Sequence, residues 1–131
     1  MAATNTRPMS PHLTIWRWGP HMVVSILHRA TGTALSIAGL AILTWWLMAV
    51  AQGADAYAQF TKLAGSPVGL VVLIGLTWSF FQHLLSGIRH LTMDTGRAFE
   101  LGVNKTFAVL TLVGAVILTA ALWFYILKVR S

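Results

Sequence analysis

Three apolar runs, each longer than a lipid bilayer is thick, constrain this chain more than any other feature. They cover about residues 22–50, 68–93 and 107–129. A helix needs roughly 20 apolar residues to cross about 30 Å of hydrocarbon. The pattern therefore predicts an all-α membrane protein with three transmembrane helices. Charged residues make up only 9% of the chain, against roughly 25% in a soluble domain. At 131 residues, a single transmembrane domain is the expectation.

What surrounds the spans is sparse. Residues 1–21 form a polar and aromatic lead in which Pro8, Pro11 and Pro20 disfavour helix. Trp16 and Trp18 read as interface anchors. The lead has no apolar core of signal-peptide length, and no long mitochondrial presequence is seen, so a bacterial or already processed protein is expected. Residues 52–66 form the first loop, with room for a short surface helix, and residues 94–104 form the second. Arg7, Arg17, Arg97 and Lys105 fall on the N-terminal side, with Arg29 and Arg89 near the ends of their helices. Lys62, Lys128 and Arg130 fall on the other side. That excess predicts the N-terminus inside, on the cytoplasmic or matrix face.

Several functions are disfavoured. The net charge is +6, but the basic residues flank or enter the spans and form no run. Lipid and topology explain them, and no nucleic-acid partner is expected. Cysteine is absent, so this chain offers no thiolate to zinc or to an iron–sulfur cluster. There is no Gly-rich phosphate loop and no nucleophile with a base. Asp55, Asp94 and Glu100 are the only acidic residues. None lies clearly within a span, which disfavours a proton pump, channel or transporter.

The first informative motif is SILHRATG, residues 25–32. Ser25, His28, Arg29 and Gly32 follow i, i+3, i+4, i+7 spacing and share one helix face. Ser36 and Gly39 extend it with small residues, which let another helix or a flat cofactor approach. An arginine inside a span costs about 2.5–3.5 kcal/mol at the helix centre and less near its end. Two readings stay open: Arg29 reaches back to lipid phosphate, or His28 and Arg29 face a polar or anionic ligand at the membrane edge.

The second motif is FQHLLSGIRHLTMD, residues 81–94. His83, Gly87 and His90 lie on one face. His83 falls about 22 Å along the second span at roughly 1.5 Å per residue, which brings it to the depth of His28 on the first. A neutral imidazole is a good haem-iron ligand, and Gly87 would leave room for a planar macrocycle. Equally open is a hydrogen bond from His83 to a neighbouring helix. Arg89 is free to pair with a haem propionate, with lipid or with Asp94. Of the histidines only His83 lies deep in a span. His12 and His21 belong to the lead, and His28 and His90 lie closer to the surface. A bis-histidine haem would therefore take its other ligand from a second chain.

These residues resemble those of the cytochrome b556 subunits of succinate dehydrogenase, one of two membrane-anchor chains of respiratory complex II. The matching pieces are RPMSPHLTIW at 7–16, SILHRATG at 25–32 and HLLSGIRHLTMDTG at 83–96. They come in the family's order, in a chain of its length. Thr92-Met93 departs from an aromatic that related sequences often carry there. The resemblance implies half of a two-chain anchor helix bundle in a bacterial inner or mitochondrial inner membrane. It implies that His83 is the axial ligand of haem b on this chain, the metal ligand here being to haem iron. Ser25 and Arg29 would line the ubiquinone site, and His28 and Arg29 would approach a haem propionate. His90, Arg89 and Asp94 match the motif without a clear role. The partners implied are a second anchor subunit supplying the other haem ligand, an iron–sulfur subunit, and a flavoprotein that oxidises succinate. The chain would then be an enzyme subunit with no complete active site of its own. The alternatives are a haem-free structural anchor and a fumarate reductase anchor working with menaquinol.

Overall fold

The computed structural model describes residue 15 and residues 17–130, the side chain of Arg130 excepted. Arg7, Pro8, Pro11, His12 and Trp16, and with them most of the lead's motif, lie outside the described residues.

Four helices follow one another among the described residues. Helix α1 runs Pro20–Gln52 and is the first span. Pro20 opens it rather than preventing it, because the first helical position has no need of an N–H. His21 thereby joins the span instead of the lead. Residues 35–39 form a π-turn, Leu35–Gly39, inside α1. Gly53, with φ of 104°, then breaks the helix; a Cβ there would be strained. Helix α2, Ala54–Ala64, is the short surface helix for which the first loop had room. Asp55 in its first turn and Lys62 in its last oppose the helix dipole.

Helix α3, Pro67–Asp94, starts with Ser66 accepting a hydrogen bond from the Gly69 amide at 3.1 Å and Pro67 in the first turn. Helix α4, Leu101–Arg130, begins earlier than the predicted 107. The polar residues 102–106 are the part of this helix that projects beyond the apolar run, and the Asn104 amide already donates to the Glu100 carbonyl at 2.8 Å. Hydropathy locates the bilayer, not the ends of the backbone ladder.

The seams between spans are small and polar. Val24, Ala108 and Ala115 are buried, together with Thr31, Ser79, Gln82, Ser86, Arg89, Thr111 and Thr119. Large apolar side chains such as Ile37, Val68, Val71 and Phe124 stand outward. Lipid is as apolar as leucine, so helices in it associate through close approach and polar contacts rather than by hiding apolar surface. Near one end, Trp45 meets Phe60 of α2 edge-on at 4.8 Å between ring centroids. The Trp123 indole N–H donates to Thr77 Oγ1 at 3.3 Å and ties α4 to α3.

Candidate functional site: a histidine stack between two spans

The convergence expected of the two motifs is present. The rings of His28 and His83 stack with centroids 4.0 Å apart and planes 6° apart. His90 lies on the other side of His28, 5.0 Å away and tilted by 58°. His28 comes from α1 and the other two from α3. Stacked faces keep ring nitrogens side by side rather than pointing at a common centre, so this is not a cage for a bare ion.

His83 is held in one tautomer. Its Nδ1 lies 3.0 Å from the His28 carbonyl oxygen. A carbonyl only accepts, so Nδ1 carries the hydrogen and donates it. Nε2 then keeps its lone pair. An imidazole in this state, with one nitrogen tied to a backbone carbonyl, is the arrangement that metal-ligating histidines adopt. The helix-to-helix hydrogen bond and the ligand reading were alternatives in the sequence; both use the same ring, through different nitrogens.

Glycine lets the ring sit there. A Cβ at Gly32 would stand 2.8 Å from His83 Cε1 and 3.3 Å from Nδ1. Gly87 behaves differently from expectation. A Cβ there would meet His28 Cε1 at 3.9 Å, so the space beside Gly87 is taken by the His28 ring and is not open to a macrocycle. The two helices approach closely enough that each motif glycine faces the other helix's histidine.

The four-residue face predicted on α1 is only partly the packed one. Val24 and Thr31 are the buried residues of this helix half, with His28 between them. Ser25 and Gly32 are half-buried at its side, and Arg29 is exposed. Ser36 is exposed as well, because the π-turn inserts a residue and shifts the stripe out of register. Ser25 and Arg29 therefore lie on a face that the helices of this chain do not close.

Arg89 differs most from expectation. It is buried and donates through Nη2 to Asn104 Oδ1 on α4. Asp94, one of its offered partners, is exposed at the end of α3. A long buried side chain turned toward α4 cannot also reach the open end of its own helix. Asn104, read as loop, is thus a structural partner that sequence reasoning missed; its amide also contacts Met93 Sδ at 3.4 Å. Gln82 and Ser86 were also overlooked. Both are fully buried on the α3 face that carries Arg89, and their i, i+4, i+7 spacing was the available signal.

Three membrane-length helices with a histidine stack at the contact of two of them define a polytopic membrane protein with a ligand-ready imidazole. The chain belongs to the succinate dehydrogenase/fumarate reductase transmembrane subunit family, whose pattern matches residues 3–122. It is 37% identical over 112 residues to the succinate dehydrogenase cytochrome b556 subunit of Paracoccus denitrificans, covering 86% of this chain and 85% of that protein. Identity to the cytochrome b556 subunit of Rickettsia conorii is 39% over 119 residues, covering 91% and 92%. The mitochondrial succinate dehydrogenase cytochrome b560 subunit of Homo sapiens is 32% identical over 99 residues, covering 74% of this chain and 58% of that one.

Proposed function

We propose that this chain is a membrane-anchor subunit of a succinate:ubiquinone oxidoreductase. In this reading it holds haem b jointly with a second anchor subunit and forms one wall of a ubiquinone site. The observation that carries the reading is the His83 ring, with Nδ1 donating to the His28 carbonyl and Nε2 left free. The residues fit the group: His83 offers a neutral, oriented imidazole, and Gly32 admits it against the backbone. Haem b, when bound, supplies one-electron storage between the iron–sulfur partner and the quinone. His83 Nε2 is its axial ligand on this side. The second anchor subunit supplies the other.

Ubiquinone reduction takes two electrons and two protons. Ser25 donates a hydrogen bond to a quinone carbonyl oxygen, and Arg29 stabilises the negative charge that grows there. Both sit on the face of α1 left open by this chain, where a partner subunit can complete the pocket and exclude water. His28 is placed to hold a propionate or to pass a proton, and His90 stands behind it. Electrons arrive from a cysteine-ligated iron–sulfur subunit, itself reduced by a succinate-oxidising flavoprotein. The absence of cysteine from this chain agrees with that division of labour. The setting is a bacterial inner membrane, with the N-terminus on the cytoplasmic side.

The test is a reduced-minus-oxidised visible spectrum of the purified complex, for wild type and His83→Ala. A b-type α-band in the wild type that is lost from the variant is expected. No band in the wild type would leave a haem-free anchor.

A further inference from the structure

The motif residue Thr31 has no part in the function as proposed, yet it is the most deeply placed polar side chain of α1, 3% exposed. Its hydroxyl oxygen lies 2.7 Å from the Leu27 carbonyl and 3.1 Å from the His28 carbonyl. It also lies 3.4 Å from His83 Nδ1. A hydroxyl has one hydrogen and two lone pairs. The hydrogen goes to the Leu27 carbonyl, the nearest acceptor. A lone pair then faces the Nδ1 hydrogen, which is shared between the His28 carbonyl at 3.0 Å and Thr31 Oγ1.

We infer that Thr31 is a positioning residue for His83: together with the His28 carbonyl it accepts the Nδ1 hydrogen, and so sets the basicity of the haem-ligating nitrogen. The inference rests on His83 being the haem ligand. Its physical ground is that an acceptor at one imidazole nitrogen increases donation from the other. In a span with no water, each such acceptor counts for more than at a surface. The Thr-Gly pair of the motif then has one purpose: Gly32 admits the ring, and Thr31 beside it orients the ring and adjusts its donor strength.

The experiment uses the purified complex carrying wild type, Thr31→Val or Thr31→Ser in this subunit. Two signals are read: the haem midpoint potential, by redox titration of the α-band, and the low-spin electron paramagnetic resonance of the oxidised form. Valine keeps the shape of threonine and removes the acceptor. Thr31→Val is expected to retain the α-band, to titrate at a higher potential and to shift the resonance. Thr31→Ser is expected to match the wild type in both. If Thr31→Val does not assemble, Thr31→Ala is read by the same signals with the same expectation. A valine or alanine variant that binds haem with unchanged potential and resonance would overturn the inference and leave His83 as ligand untouched. A serine variant that shifts as far as valine would also overturn it, because the hydroxyl would then not be the cause. A wild-type complex without an α-band would instead sink the haem reading, and this inference with it.

Discussion

At the scale of single residues, chemistry and sequence spacing diverge. His28 and Arg29 are neighbours in the chain, but a helix sends adjacent side chains about 100° apart. One stacks on α3 and the other stands outside. Arg29→Ala is therefore expected to leave the fold intact while lowering quinone reductase turnover by about 10²-fold, the order lost with one oxyanion donor. Steady-state assays with wild-type expression as control check it; unchanged turnover would remove Arg29 from the quinone site. Arg89 is the converse case, an arginine whose role is inside the fold. Asn104→Leu strips its acceptor and is expected to cost about 1.5–3 kcal/mol, the usual range for a hydrogen bond to a charged group. Thermal unfolding of the detergent-solubilised complex measures it, and Asn104→Asp, which retains an acceptor, is expected to recover most of the loss.

At the scale of helices, what matters is register. The π-turn at Leu35–Gly39 adds one residue to α1 between the half that carries His28 and the half that carries Trp45. Deleting Ile37 is expected to convert the π-turn to regular helix and leave both halves facing as before. Deleting Leu43, in regular helix, rotates everything beyond it by about 100° and carries Trp45 away from Phe60. Assembly of the two variants, followed by co-purification of partner subunits, separates them: the first assembles and the second does not. Equal behaviour would mean that the π-turn is not the seat of the inserted residue. Three membrane helices were legible from hydropathy, because the bilayer selects on length and apolarity alone. The π-turn was not, since nothing in a run of small and apolar residues marks which carbonyl will skip a partner. Helix α4 began earlier than expected for a related reason: its first turns carry polar residues that hydropathy counts as loop.

At the scale of the molecule, the apolar exterior and polar seams are what a bundle needs when its solvent is lipid. The orientation proposed here has a clean test, because the chain has no cysteine of its own. A single Thr95→Cys, after α3, is expected to react with a membrane-impermeant maleimide only in permeabilised cells. A single Gln59→Cys, on α2, is expected to react in intact ones. The reverse pattern would invert the topology.

The number of spans, their order and the two motifs that would meet came from the sequence by itself, because periodicity and hydropathy are local properties of a chain. Only the tertiary structure decided which face of each motif is packed. It set His83 against Gly32 and His28 against Gly87, turned Arg89 toward Asn104, and left Ser25 and Arg29 on an open side. Those outcomes depend on how closely, and at what rotation, two helices approach. That is fixed by all the small residues along a seam together, and no single stretch of sequence contains it.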